Sequence, residues 1–187
     1  MTNKIVVIDY GVGNILSIKN AVSYHGYTSH ITNKKKDIES ASHIILPGVG
    51  AFPAAMKKLK DLDLINPILE AANKKTYLLG ICLGMQLLFT NSEEFETTEG
   101  LNLIKGNIIK LDKFNSNFDS KLPNIGWRNC KIDTKKNNIS ILKNVLSNDE
   151  FYFVHSYGLY NYENDLNLVK SNYGNIEIPA VINYKNI

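Results

Sequence analysis

Three short apolar runs constrain this chain most, because a turn closes each one and residues at helical spacing follow. Lys4 to Ile8 reads KIVVI, His43 to Leu46 reads HIIL, and Thr76 to Ile81 reads TYLLGI. Runs this short and this rich in β-branched or leucine residues suit strands buried on both faces. After the first, Asp9-Tyr10-Gly11-Val12-Gly13-Asn14 turns the chain. Ile15 to His25 then places Ile15, Ile18, Ala21 and Val22 on a helical repeat that stops at Gly26. Pro47-Gly48 ends the second run, and helical patterns cover Phe52 to Leu62 and Ile65 to Ala72. After the third, Leu83 to Phe89 reads as a helix. Strand, turn and helix repeated in this way build a parallel sheet covered by helices. The expected fold is therefore α/β, in three layers, with a mostly parallel central sheet and helices on both faces.

The second half changes character. Leu103 to Leu111, Asn124 to Ile132, Phe151 to Val154 and Ile176 to Tyr184 are strand-like, with few helices between them, which predicts antiparallel additions to the sheet. No repeat or long linker divides the 187 residues, so 1–187 is expected to be a single domain. A chain of this length buries about 70% of its unfolded surface and has no need of staples. Its two cysteines, Cys82 and Cys130, cannot make a disulfide framework, which fits a reducing, cytoplasmic setting. No apolar run reaches the ~18–20 residues of a membrane helix, and the start of the chain is wrong for a signal peptide. Net charge is +3, and Arg128 is the only arginine, an unusual composition for a protein that reads nucleic acid. Lys34-Lys35-Lys36 and the asparagine-rich stretches are expected as solvated loops.

The most informative segment is Gly80-Ile81-Cys82-Leu83-Gly84-Met85-Gln86. It sets a cysteine between an apolar strand and an apolar helix, with glycine two residues before and two after. A sharp strand-to-helix turn of this kind exposes a nucleophile in a strained conformation. A helix start at Cys82 would lower the thiol pKa, and the Leu83 N–H would face an oxyanion. A small buried cysteine packing a strand end fits the same residues. Pro47-Gly48-Val49-Gly50 follows a neighbouring parallel strand and could bring a second backbone N–H to that oxyanion, although an ordinary turn also favours these residues. Of His25, His30, His43 and His155, only His155 closes a strand at the end where a crevice would form, continuing into Ser156-Tyr157.

In this order, the motifs resemble the class I glutamine amidotransferases, and in particular the glutaminase subunits of imidazole glycerol phosphate synthase. The resemblance is carried by D-Y-G-V-G-N at Asp9 to Asn14, P-G-V-G-A-F at Pro47 to Phe52 and L-G-I-C-L-G-M-Q-L-L-F at Leu79 to Phe89. It continues through Gly100-Leu101, P-N-I-G-W at Pro123 to Trp127, and Y-F-V-H-S-Y at Tyr152 to Tyr157. It implies hydrolysis of glutamine to glutamate and ammonia, which passes to a (β/α)8-barrel cyclase partner in a heterodimer of histidine biosynthesis. Cys82 would be the nucleophile, with Val49 and Leu83 as the oxyanion donors. Gly50, Gln86, His155, Ser156 and Tyr157 would hold glutamine. The loop around Asn14 and the Trp127 region would face the partner; without the resemblance, Trp127 reads as a core tryptophan. No metal, cofactor, nucleic acid or membrane is expected.

The resemblance also implies a histidine and a glutamate from a Q-F-H-P-E-type segment, and the sequence ends at Tyr184-Lys185-Asn186-Ile187, about where that segment should begin. Two explanations stand: a missing C-terminus, or a genuine short form. His155 matches the substrate-flanking histidine and is not assigned as the base. A thiolate without its general base loses roughly 10²–10⁴-fold in rate, so this form is expected to be severely impaired. Loss of the segment would also expose apolar surface and a sheet edge. Two further readings remain open at this level: a non-catalytic docking module for the barrel, and an ammonia supplier to another acceptor, such as a surface sugar.

Overall fold

The computed structural model describes residues 4–132, 139–146, 149–163 and 165–187. The chain divides into two compact units, Met1–Lys105 with Asn186–Ile187, and Gly106–Lys185.

The first unit is built on four parallel strands, β1 (Ile5–Ile8), β2 (Ser29–Thr32), β3 (His43–Leu46) and β4 (Tyr77–Gly80), in the order β2-β1-β3-β4. Between them run α1 (Ile15–Tyr24), α2 (Lys35–Glu39), α3 (Phe52–Asp61) and α4 (Ile65–Asn73). The step from β1 to β2 moves one way along the sheet, and the steps to β3 and β4 move the other. Right-handed crossovers therefore put α1 on one face and α2, α3 and α4 on the other. Register places Val6, Ile44 and Leu78 in one row, and Ile8 and Leu46 in another on the same face; all five are buried. Ile38, Leu59, Leu64, Ile68 and Ala71 supply the rest of this core. Asp37 secures α2 by accepting from Lys4 Nζ (3.0 Å) and Thr32 Oγ1 (2.9 Å). The lysine run, expected as loop, thus opens a short helix that tertiary bonds to Asp37 hold in place.

The opposite face is only partly covered. Val7 is buried, its row-mate Ile45 is half-buried, and Leu79 in the same row is 40% exposed. In the next row His43 stacks on Tyr77 with ring centroids 5.1 Å apart, and Tyr77 is 62% exposed. The third apolar run was expected to be buried on both faces; β4 is buried on one. At its outer edge the Leu78 N–H donates to the Asn186 carbonyl (3.0 Å), and Asn186 Nδ2 donates to the carbonyls of Thr76 (2.6 Å) and Ala72 (3.2 Å).

The helix expected over Leu83 to Phe89 is a single turn, α5 (Leu83–Gln86). Long-range pairing stops it. The carbonyl of Leu87 accepts from Leu101 N–H, that of Leu88 from Leu103 and Ile104, and that of Phe89 from Asn102, so these groups are turned away from helix geometry. Two-residue strands β5 (Asn91–Ser92) and β6 (Thr98–Glu99) then pair antiparallel.

The second unit is antiparallel, as the change in sequence character implied. Here β7 (Asn107–Lys110), β8 (Asn124–Asn129) and β9 (Glu150–His155) lie within or around the expected runs, while β10 (Tyr157–Tyr160) and β11 (Asn167–Tyr173) were not singled out; β12 (Ile176–Asn183) matches the last run. The pairs are β7 with β10, β8 with β9, and β11 with β12. The last pair shifts register at Val169/Lys170, opposite Pro179, whose missing N–H suits an irregular ladder. Two apolar clusters form its core, one around Cys130, Ile139, Leu142 and Val169, the other around Leu111, Ile176 and Ile178. Among the described residues, no helix is long and apolar enough to cross a membrane.

Candidate active site

Cys82 stands between β4 and α5 with φ 55° and ψ −116°. A residue with a side chain holds such a conformation at a cost of roughly 1–3 kcal/mol, and only where its surroundings over-determine it. They do so here through close backbone packing. A Cβ on Gly80 would lie 2.6 Å from Met85 Cα, one on Gly84 would lie 1.9 Å from the Leu46 oxygen, and one on Gly48 would lie 2.6 Å from the Gly84 nitrogen. The turn before α5 is therefore pressed onto the end of β3 and the loop after it. The Cys82 carbonyl accepts from the N–H groups of Met85 (3.0 Å) and Gln86 (3.2 Å), while the residue itself is exposed. The alternative of a cysteine sealed in packing does not hold for Cys82; it describes Cys130.

The thiol is not acidified as expected. Burial of the sulfur's surroundings pushes its pKa above the ordinary thiol value, and a bond from the Leu83 N–H opposes that shift only in part. A helix of four residues contributes too few aligned peptides to reverse the balance.

Beside the elbow, Pro47 and Gly48 are buried, whereas Val49 is 55% exposed and Gly50 has φ 103° with open space where a Cβ would project. The start of this loop is held by the Tyr10 hydroxyl, which donates to the Pro47 carbonyl (2.6 Å). Its far end is held by Glu94, whose carboxylate accepts from the Phe52 N–H (2.7 Å) and whose own N–H donates to Ser92 Oγ (3.1 Å). Neither Tyr10 nor Glu94 stood out in the sequence. Tyr10 sat inside a recognised motif without a role, and an acid in a surface-like S-E-E run carries no local signal. The Asp9–Asn14 loop packs on the same element, since a Cβ on Gly13 would meet Pro47 at 3.0 Å, and Lys58 Nζ donates to the Gly11 carbonyl (2.9 Å). Asn14 is exposed and caps α1, its Oδ1 accepting from Ser17 N–H (3.2 Å). Gln86, half-buried, ends α5. The first unit thus brings together Cys82, Leu83, Val49, Gly50 and Gln86.

His155, Ser156 and Tyr157 belong to the second unit, where β9 passes into β10. His155 Nδ1 lies 2.8 Å from the Tyr157 carbonyl, which can only accept, so Nδ1 carries the proton. Nε2 then accepts from Asn124 Nδ2 (3.0 Å), and Asn124 Oδ1 accepts from Arg128 Nε (2.6 Å). Burial holds the imidazole pKa below its ordinary value; the Tyr157 contact opposes this and the Arg128 charge adds to it. Trp127 is no core tryptophan. It is 65% exposed on β8, edge-on to Tyr152 at 5.4 Å, and Ile125 and Val154 extend the same exposed face.

A strained, exposed cysteine between glycines thus sits against a glycine-rich loop that follows a parallel strand of an α/β sheet. The family described as glutamine amidotransferase class-I matches residues 6–187, and the chain belongs to it. The imidazole glycerol phosphate synthase subunit HisH of Caldanaerobacter subterraneus subsp. tengcongensis is 43% identical over 181 residues, covering 97% of this chain and 85% of the relative. The corresponding subunit of Lactococcus lactis subsp. lactis is 39% identical over 184 residues, covering 98% and 87%. Within the class, the chain therefore belongs among the HisH subunits. A crystal structure of a glutamine amidotransferase shares the fold, with a TM-score of 0.71 over 95% of this chain and 84% of that one at 13% identity.

Proposed function

We propose that this chain is the glutamine-hydrolysing subunit of an imidazole glycerol phosphate synthase, working in the cytoplasm as one glutamine amidotransferase domain over residues 1–187. The observation that carries the reading is the Cys82 elbow, a strained and exposed residue locked by glycine contacts to the Pro47–Gly50 loop. In the reaction, Cys82 Sγ attacks the side-chain amide carbon of glutamine. The N–H groups of Val49 and Leu83 stabilise the oxyanion, ammonia leaves as the amide nitrogen gains a proton, and water hydrolyses the γ-glutamyl thioester to glutamate. On the family resemblance, Gly50, Gln86, His155, Ser156 and Tyr157 are the substrate-binding residues. Within the second unit, His155 is a neutral ring with both nitrogens engaged, which suits binding and not proton transfer. On the family resemblance, proton transfer belongs to the histidine and glutamate of a Q-F-H-P-E-type segment, which is not among these 187 residues.

Ammonia then passes to a (β/α)8-barrel cyclase in histidine biosynthesis. In the second unit the exposed apolar stripe of Ile125, Trp127, Tyr152 and Val154 supports docking of a partner, and in the first unit the exposed Asn14 does so separately. A glutamine-shaped chloroketone, 6-chloro-5-oxonorleucine, tests the reading with an outcome read by peptide mass spectrometry. The adduct should form on Cys82 and not on Cys130, and glutamine should protect against it. An unlabelled Cys82 in folded protein overturns the glutaminase reading and leaves a docking module.

A further inference from the structure

We infer that Tyr10 is a positioning residue of this reaction: its hydroxyl pins the Pro47 carbonyl and so fixes the loop bearing the Val49 donor against the Cys82 elbow. The inference rests on the glutaminase reading and adds to it a residue with no direct part in the chemistry. Tyr10 is 1% exposed, and its hydroxyl donates to the Pro47 oxygen at 2.6 Å. A site that needed only an aromatic ring would be filled by phenylalanine, which leaves no buried hydroxyl to satisfy. The peptide after Pro47 is planar, so fixing its carbonyl also fixes the Gly48 N–H and the direction in which the chain leaves. Gly48 in turn lies against Leu83 and Gly84, where a Cβ would approach within 2.6–2.8 Å. One residue further on, Val49 and Gly50 are exposed, and Glu94 holds the chain again at Phe52. The two donor-bearing residues Val49 and Leu83 thus belong to segments joined through Gly48, and Tyr10 sets the angle of that joint. Burial, together with the charge of Cys82, pushes the phenol pKa far above its usual range, so the hydroxyl remains a donor at any working pH.

Two alkylation rates at Cys82 of the full chain separate this role from a general effect on folding. The chloroketone places a carbonyl oxygen where the oxyanion donors act, whereas iodoacetamide needs only an accessible thiolate. Tyr10→Phe should slow the chloroketone about 10–100-fold, since small misplacements in a site carry costs of that order, and should leave the iodoacetamide rate within about twofold. A 3-fluorotyrosine at position 10 keeps the hydroxyl and should keep both rates within about twofold of the wild type. Unchanged rates in Tyr10→Phe, a parallel fall in both, or a loss with 3-fluorotyrosine as large as that with phenylalanine would each overturn the inference. A wild-type chain that takes iodoacetamide but never the chloroketone overturns the glutaminase reading and this inference with it. An active wild type with an equally active Tyr10→Phe overturns the inference alone.

Discussion

Leu78 and Leu79 are neighbours in one strand and chemically identical, yet one is 4% exposed and the other 40%. They point to opposite faces of the same parallel sheet. On Leu78's side, α2, α3 and α4 supply a dry core; on Leu79's side, α1 contacts β1 and β2, and the rows open outward from Val7 to Leu79 and from Ile5 to Tyr77. Hydrophobicity does not separate the two faces, because both carry apolar residues. The direction of the crossovers does. The covered face also supplies the hard seat of the elbow, since the Leu46 carbonyl against which Gly84 lies ends one of its rows.

The strongest challenge to this contrast is Gly84→Ala, whose Cβ would enter the space of the Leu46 oxygen. The expected loss exceeds about 3 kcal/mol in urea unfolding, the upper end for forced overpacking. A variant as stable as the wild type would show that the elbow is not seated as described. Next comes the leucine pair itself. Leu78→Ala should cost about 2–4 kcal/mol by cavity formation, and Leu79→Ala under about 1 kcal/mol, as for a surface change. Equal losses would mean that both faces are covered in solution. The smallest effect lies just past β4, at Cys82, an exposed residue whose thiol pKa is raised by burial. Iodoacetamide alkylation of Cys82 should rise with pH around a midpoint above that of an ordinary thiol. Because folding raises this pKa, the linked stability is present below the unfolded thiol's pKa and declines as pH rises through the folded one. A midpoint below the ordinary value would sink that account.

Much of this was legible in the sequence because local rules and the final structure agreed. Three of the four parallel strands sit where short apolar runs meet turn residues, whereas β2, with the sequence SHIT, has no such run; the Gly80–Gly84 spacing announced the strained cysteine. The misreadings came where distant segments intervened. Leu87, Leu88 and Phe89 keep an apolar pattern that suits a helix, but residues 101–104 claim their carbonyls. Lys35 and Lys36 look like solvated loop until Asp37 is seen bonded to Lys4 and Thr32. The thiol pKa turned on helix length and local packing density, neither of which spacing reveals. Tyr10 and Glu94 are visible only as the two clamps of one loop.

The relay from Arg128 through Asn124 to His155 settles what that imidazole can report. With its Nδ1–H donated to the Tyr157 carbonyl and the Nε2 lone pair occupied, the ring has no free nitrogen, and burial holds its pKa below the ordinary value. An acidic limb in the rate–pH profile should accordingly persist when His155 is replaced by asparagine, and its origin is to be sought in another ionising group.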